Sequence, residues 1–325
     1  MWLNDLVDIN EDDLIEYDNK LLPILLKDHS SGRNIIWATN DYEDLGVKYQ
    51  FSSEIREGLI TGMNRHIIRP RVLKSRILQD SRSKEKAEVF SPSWICNKQN
   101  NLIDNEWFCR EGVFNVETHN GWKTNPKPIK FTNEEGRRWQ DYVKEQRLEI
   151  CCGEAPYIVS RYDTTTGESI PVKDRIGILD RKFRVVHENT HDANFEEWHH
   201  WMKQALMATY AYEWQGDNLL LARENVLFSY IDYFCLKYET SELRTDILEE
   251  VAEIISWNLW QMDGLKGVIP QTCYEEEEPN LFFPSESHPC IGCQTGKMSE
   301  HNGVQCQIKD WSSEKQDIIP FHSLI

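Results

Sequence analysis

The chain has 325 residues, of which 40% are hydrophobic, and it contains 12 Trp, 12 Tyr and 12 Phe. This composition can fill one large core or two modest ones, which excludes a disordered or fibrous chain. The 36 Lys and Arg residues against 54 Asp and Glu residues give a net charge of −18. That charge balance argues against a protein that binds nucleic acid without a partner by neutralising its phosphates.

No apolar run approaches the roughly 20 residues of a membrane-spanning helix. The N-terminus also lacks the basic start and the apolar stretch of a signal peptide. We therefore expect a globular, cytoplasmic protein with no membrane partner. Nine cysteines in such a chain favour free thiols or a metal site over a disulfide framework.

The charge is unevenly distributed along the chain. Acids are concentrated in residues 1–18 and in residues 275–278, whereas basic residues dominate residues 65–86. Acidic runs are usually solvated faces, and the basic segment is either a solvated helix and loop or a contact for DNA phosphates. The predicted units are an N-terminal extension of α+β character (1–83), an α/β domain (84–269) and a Cys-rich C-terminal tail (270–325).

From residue 148 onward the pattern alternates between strands and helices, which is typical of an α/β layer fold. Apolar residues at helical spacing mark the helices, and short apolar runs mark the strands. The predicted strands cover residues 147–151, 207–213 and 254–261, and the predicted helices between them cover residues 174–186, 195–206 and 216–234.

The residues that follow the predicted strands indicate a site for a nucleoside-bearing cofactor. The first strand runs into a turn of small residues that contains Gly153 and Ala155, and the second ends in Glu213. Small residues let a ligand approach the backbone, and an acid after the next strand accepts hydrogen bonds from ribose hydroxyls. After the third strand, Asp263 can place a carboxylate by the amino group of an adenine.

These segments resemble the cofactor motifs of adenine-specific DNA methyltransferases of restriction-modification systems. Residues 87–94 (Ala-Glu-Val-Phe-Ser-Pro-Ser-Trp) resemble the Phe-Thr-Pro motif that precedes the cofactor domain in that family. The three cofactor motifs correspond to residues 149–157 (Glu-Ile-Cys-Cys-Gly-Glu-Ala-Pro-Tyr), 210–213 (Tyr-Ala-Tyr-Glu) with 220–225 (Leu-Leu-Ala-Arg-Glu-Asn), and 258–265 (Asn-Leu-Trp-Gln-Met-Asp-Gly-Leu). Their order matches over residues 84–265. Strings at 154–157, 179–182 and 214–218 also resemble the bacterial and phage proteins called restriction endonuclease subunit M.

The resemblance implies a Rossmann-like S-adenosylmethionine-dependent methyltransferase fold with S-adenosylmethionine as the cofactor. It implies that Gly153 lies at the methionine end of the cofactor, Glu213 at the ribose and Asp263 at the adenine. Ala155 stands where the family usually has Gly. The other cofactor-site residues that the resemblance implies are Phe90, Pro92, Glu149 and Cys152.

One departure from the family concerns catalysis. The family orients the target amine with an Asn/Asp-Pro-Pro-Tyr/Phe string on the strand after the third motif, and no such string occurs in this chain. Three interpretations stay open at this point. Residues 91–94 (Ser-Pro-Ser-Trp) are a permuted version of the motif, a partner chain supplies the motif and target recognition, or catalysis has been lost.

The expected function is therefore that of a cofactor-binding M subunit that serves adenine methylation of DNA, with DNA contacted through a partner protein. The alternative is a catalytically inactive, methyltransferase-like binding or regulatory protein of a phage or defence system.

A cluster of cysteines in the tail predicts a structural zinc site. Cys290 and Cys293 form a Cys-x-x-Cys pair, and Cys306 lies 13 positions further on. Two thiolates at that spacing can hold one tetrahedral zinc ion, and two more ligands close the site. Candidates for the fourth ligand are Cys273, His288 and His301, and unrelated free thiols are the alternative. The predicted set is Cys273, Cys290, Cys293 and Cys306.

Overall fold

The structure is a computed structural model that describes residues 10–85, 88–190, 194–278, 286–313 and 315–324. The helices are α1 (Glu11–Tyr17), α2 (Leu21–Leu26), α3 (Arg76–Glu85), α4 (Ser93–Phe108), α5 (Trp139–Lys144), α6 (Ile178–Asn189), α7 (Phe195–Met207), α8 (Gly216–Tyr238), α9 (Thr245–Asn258) and α10 (Ile291–Thr295). The strands are β1 (Asn115–Thr118), β2 (Gly121–Thr124), β3 (Arg147–Ile150), β4 (Thr209–Glu213), β5 (Leu259–Gln261), β6 (Glu276–Glu278), β7 (Glu286–His288), β8 (Gln307–Lys309) and β9 (Ile318–Pro320). The fold is therefore mixed α/β.

The central sheet is parallel and consists of β3, β4 and β5 in chain order. Ile150 pairs with Tyr212, and Glu213 pairs with Gln261, so the carboxyl ends of the three strands lie at one edge. Helices α6 and α7 connect the first pair of strands, and α8 and α9 connect the second. The described residues place three strands in this sheet, the number in one half of a doubly wound fold, so the complete Rossmann-like fold stays a prediction.

The first two predicted strands are confirmed within two residues at each end, but the third begins later than predicted. Residues 254–258 continue helix α9 and only Leu259–Gln261 is a strand. Leu248, Val251 and Ile255 occur at helical spacing and are buried. At the end of the helix, Asn258 donates from its side chain to the carbonyls of Leu206 and Thr209. These contacts extend the helix to the edge of the sheet.

The two faces of the sheet pack against different parts of the chain. Alternating residues point to opposite faces, so Ala211 and Leu259 join the large helical core, whereas Tyr212 and Trp260 point the other way. On that second face they pack with residues of the C-terminal tail. This second cluster consists of Tyr212, Trp260, Met262, Ile269, Cys306, Ile308 and Phe321.

The N-terminal extension shares the large core with the sheet domain, so the core crosses the predicted boundary at residues 83 and 84. Leu14 and Trp37 are fully buried in it. Gln261, at the end of β5, accepts the N–H of Ile36 and donates to its carbonyl. Among described residues 10–83 the helices alternate with turns and isolated bridges rather than with strands.

Buried charges explain two of the segments that the sequence singled out. Asp180, Arg181 and Lys182 of helix α6 are each at most 1% exposed. Lys182 donates to the carbonyls of Glu145 and Ala208 beside the amino ends of β3 and β4, and burial lowers its pKa to about 7. Lys182 therefore ties helix α6 to the amino ends of β3 and β4.

The basic segment is neither wholly solvated nor wholly available to phosphates. Lys74 and Arg82 are buried and form ion pairs with Asp217, which is also fully buried. Arg82 additionally pairs with Glu88. These two cations therefore neutralise acids of the protein itself. Among the described residues, no helix has the length and apolarity that a membrane crossing requires.

Candidate functional site

The turn after β3 has an unusual backbone. Cys151, Gly153 and Ala155 all have positive φ angles, of 52°, 55° and 65°. Gly adopts this left-handed conformation without strain, whereas the two other residues carry a cost. Ala155 is fully buried in the core, so its methyl group points away from the surface of the turn.

Glu213 ties this turn to the end of β4. Its Oε2 accepts the backbone N–H of Gly153 at 2.8 Å, and its Oε1 accepts the N–H of Gln215 at 3.2 Å. The side chain belongs to a residue that is only 6% exposed. The acid and the small-residue turn that the sequence predicted to share a ligand are thus in direct contact.

A cavity of about 580 Å³ lies at this edge of the sheet. Its volume is in the range of small-molecule sites. The ring of Phe90 covers Gly153 so closely that a Cβ on Gly153 would come within 3.3 Å of it. The cavity brings together five of the eight predicted cofactor residues, which are Phe90, Glu149, Cys152, Gly153 and Glu213.

The other three predicted residues do not line this cavity. Pro92 precedes helix α4 as its N-cap residue, and Ala155 lies in the core. Asp263 takes part in a turn. Its N–H donates to the carbonyl of Val268, and its Oδ1 accepts the N–H of Leu265. Asp263 is not among the residues that line the cavity, so its contact with an adenine stays a prediction.

Asn218 and Glu88 are among the cavity residues that the sequence reasoning missed. Asn218 is 1% exposed, donates to Glu88, and has no hydrogen-bond partner for its Oδ1 among the described residues. Glu88 lines the same cavity and pairs with Arg82. Both lie in strings that were quoted for the family resemblance, at residues 87–94 and 214–218, but nothing in those strings marks them as ligand contacts.

The cavity is rich in carboxylates. Burial raises the pKa of Glu149 to about 7 and that of Glu213 to about 7 as well. Glu88 adds a third carboxyl group. A buried carboxylate is stabilised by donors and by positive charge. The lining therefore favours a ligand with hydroxyl or amino donors or with a cationic centre.

The second candidate site lies in the C-terminal tail. The possible ligand atoms of Cys273, Cys290, Cys293 and His301 all lie within 4.8 Å of one another. The three sulfur atoms are 3.5, 3.7 and 3.7 Å from Nδ1 of His301. Zinc bonds of about 2.3 Å to sulfur and about 2.0 Å to nitrogen at tetrahedral angles place sulfur roughly 3.5 Å from nitrogen. These four residues can therefore hold a metal such as zinc.

The prediction that Cys306 belongs to the metal set is wrong, and His301 takes that position. Cys306 is fully buried in the second hydrophobic cluster, with its Sγ 3.3 Å from the carbonyl oxygen of Gln261. Its backbone is fixed there by hydrogen bonds with Gly267 and Phe321. Cys306 thus packs the tail on the sheet, whereas His301 was only one of three candidates for the fourth ligand.

Local structure brings the four metal-site residues together. Pairing of β6 with β7 carries the chain back from Cys273 to Cys290. Gly292 lies against His301, where a Cβ would come 2.5 Å from the ring and from the backbone nitrogen. The glycine within the Cys-x-x-Cys pair is therefore required for the histidine to approach.

The described part of the chain thus carries a carboxylate-lined cavity and a Cys₃His cluster. Comparisons with protein-family models, with curated proteins and with solved structures find no match for this chain. The chemistry of these two sites, together with the sequence resemblance, is the basis for a function.

Proposed function

We propose that the chain binds S-adenosylmethionine in the cavity at the carboxyl ends of β3 and β4. The observation that carries this proposal is the hydrogen bond from the Gly153 N–H to Glu213 inside that cavity. It joins a small-residue turn to an acid at the end of the neighbouring parallel strand, which is the arrangement that receives nucleosides in doubly wound folds.

The residues present fit such a cofactor. Gly153 lets the Phe90 ring lie against the turn, because a side chain at position 153 would meet that ring, so an aromatic ring and the turn line the cavity together. Each Glu213 oxygen has a lone pair beyond the one used by the backbone, which suits the two ribose hydroxyls. Asn218 Oδ1 is a buried acceptor without a partner among the described residues, which suits an amino group of the ligand.

The charge of the lining fits the same cofactor. When bound, S-adenosylmethionine supplies a methyl group on a sulfonium cation. Glu88 already pairs with Arg82, whereas Glu149 and Glu213 line the cavity without an ion-pair partner among the described residues. A cation would stabilise these two buried carboxyl groups in their ionised form.

We propose further that the chain is the cofactor-binding M subunit of a restriction-modification system and serves adenine methylation. This part rests on the sequence resemblance. Because the chain lacks the Asn-Pro-Pro-Tyr string and carries a net charge of −18, a partner chain supplies the acceptor-orienting residues and most of the DNA contact. The tail carries a structural zinc ion on Cys273, Cys290, Cys293 and His301.

Calorimetry with S-adenosylmethionine tests the cofactor proposal. Wild type should bind it in the micromolar range, and Glu213→Ala should weaken binding by at least about tenfold, which is 1.4 kcal/mol. Glu197→Ala is the matched control, since Glu197 is exposed and lines neither this cavity nor the other large cavity. No binding by folded wild type overturns the proposal.

A methyl-transfer assay tests the role of the partner. The isolated chain with DNA and labelled cofactor should give no product, and addition of the partner chain should give methylated adenine. Product from the isolated chain would refute the need for a partner. Cofactor binding without transfer in any combination would instead favour the inactive binding protein.

A further inference from the structure

A second cavity, of about 680 Å³, lies beside the proposed cofactor site. It is formed between residues 28–59 of the N-terminal extension and residues 261–304. Gln271 lines both cavities, so the two spaces are neighbours. Nothing in the proposed function occupies this one.

The cavity has a local surplus of positive charge in an acidic protein. Arg33 and Lys48 line it, both are exposed, and neither forms an ion pair with any described residue. Arg56 lies 3.7 Å from Glu54, so these two charges offset each other. Asp28 is the remaining acid, and it is 2% exposed. Two cations are thus available to an anionic ligand at the mouth.

The rest of the lining is suited to a ligand with a flat apolar body and polar groups. Ile36, Ile269 and Pro270 supply apolar surface, and Ser52 and Asn34 supply polar groups. Asp28 accepts from Ser31 through Oδ2, whereas its buried Oδ1 has no hydrogen-bond partner among the described residues. That oxygen is available to an N–H or O–H donor.

We propose that this cavity binds a nucleotide, with Arg33 and Lys48 at its phosphate and Asp28 accepting from its base or sugar. A guanidinium and an ammonium beside hydroxyl groups are common phosphate ligands. The source is either a free nucleotide or one unit of a single DNA strand. The choice of DNA as a source and of adenine as the base rests on the proposed function. The site itself rests on the residues that line this cavity.

Calorimetry with 2′-deoxyadenosine 5′-monophosphate on the full chain tests this site. Arg33→Gln combined with Lys48→Gln should weaken binding by at least about tenfold. The matched control is Lys27→Gln with Arg76→Gln, which removes two exposed charges that do not line the cavity and should change binding less than about twofold. Deoxyadenosine, which lacks the phosphate, should bind wild type about as weakly as the monophosphate binds the cavity variant.

Two further measurements separate the sources and the two sites. A labelled single-stranded oligonucleotide should bind with a salt dependence that falls by about 1.4 in slope in the cavity variant if the strand is the source. Binding of the monophosphate alone assigns a free nucleotide. The cavity variant should keep full affinity for S-adenosylmethionine, whereas Glu213→Gln should keep full affinity for the monophosphate.

Three results overturn the proposal. These are the absence of nucleotide binding by folded wild type at millimolar concentration, equal binding of deoxyadenosine and its monophosphate, and an equal loss in the control pair. Loss of S-adenosylmethionine binding by wild type, with the nucleotide still bound, would defeat the cofactor proposal and leave this one standing.

Discussion

Gly153 donates its backbone N–H to Oε2 of Glu213 at 2.8 Å, so a left-handed turn after one parallel strand is fixed by the acid that ends the next. Movement of either residue would weaken this hydrogen bond. A ligand that displaces this hydrogen bond, or that binds Glu213 beside it, therefore affects the ends of both β3 and β4.

The contribution of Glu213 to the free energy of unfolding should fall as pH rises. Burial raises its pKa to about 7, whereas an unfolded glutamate titrates near 4.3. The folded state keeps the proton to higher pH, so the contribution is present below the unfolded pKa and lost as pH rises through the folded pKa. In urea unfolding, the free energy of unfolding of wild type relative to that of Glu213→Gln should fall by about 2–4 kcal/mol from pH 5 to 8.

The control for this experiment is Glu197→Gln, at an exposed position of helix α7. Because position 197 is exposed, this variant controls for the loss of a carboxylate as such. Saturating S-adenosylmethionine should reduce the pH dependence of wild type, because ribose hydroxyls stabilise the ionised carboxyl group. A pH-independent difference for Glu213→Gln would contradict the burial argument.

Two alanine substitutions separate backbone strain from ligand contact. Gly153 and Gly136 have φ angles of 55° and 76°, so Ala at either position costs about 1–2 kcal/mol of strain. Only at Gly153 does the new methyl group meet the Phe90 ring, whereas nothing lies within 4 Å at Gly136. Gly153→Ala should therefore weaken cofactor binding by at least about tenfold, and Gly136→Ala should leave it unchanged. Equal affinities of the two variants would show that the turn does not contact the ligand.

Metal analysis should find one zinc ion per chain, held by three cysteines and a histidine. Cys293→Ser and His301→Ala should each lose most of the metal and lower the melting temperature, because a closed zinc site contributes to folding. Cys306→Ser should retain the metal, because Cys306 packs in the second hydrophobic cluster. Purified protein without zinc, or loss of zinc from Cys306→Ser, would count against this assignment.

Breaking the buried ion pair of the basic segment should be costly. Arg82 is fully buried between Asp217 and Glu88, so Arg82→Met leaves Lys74 as the remaining cation at Asp217 and removes the cation nearest to Glu88. This loss of buried charge compensation should lower the free energy of unfolding by about 3–5 kcal/mol. Lys84→Met, on the exposed face of the same helix, is the control and should have little effect. Chemical denaturation of the two variants decides the question. Similar stabilities would mean that the pair does not hold the segment in place.

Local patterns predicted the centre of the site but not its periphery. A strand, a turn of small residues and an acid-tipped strand are readable from neighbouring residues, and parallel pairing then brings Gly153 and Glu213 together. The turn at Asp263 was not readable, because it depends on the bridge from Asp263 to Val268. That bridge is part of the packing of the tail on the sheet.

Long-range contacts also determine which cysteines lie in the metal cluster and which cations of the basic segment are buried. Spacing alone favoured Cys306 over His301 as a metal ligand, whereas the fold places His301 in the cluster and bonds the backbone of Cys306 to Gly267 and Phe321. Lys74 and Arg82 look like surface charges in a basic segment. Their burial follows from Asp217, far along the chain, which no local pattern connects with them.

The packing of Phe321 against Tyr212 and Trp260 has a consequence for the order of folding. The ribosome releases β4 and β5 well before it releases the residues that cover their second face. Until then Tyr212 and Trp260 remain open to water and to other chains, and a contact between such distant positions forms slowly. Synthesis therefore has to proceed as far as Phe321 before the sheet can close on both sides.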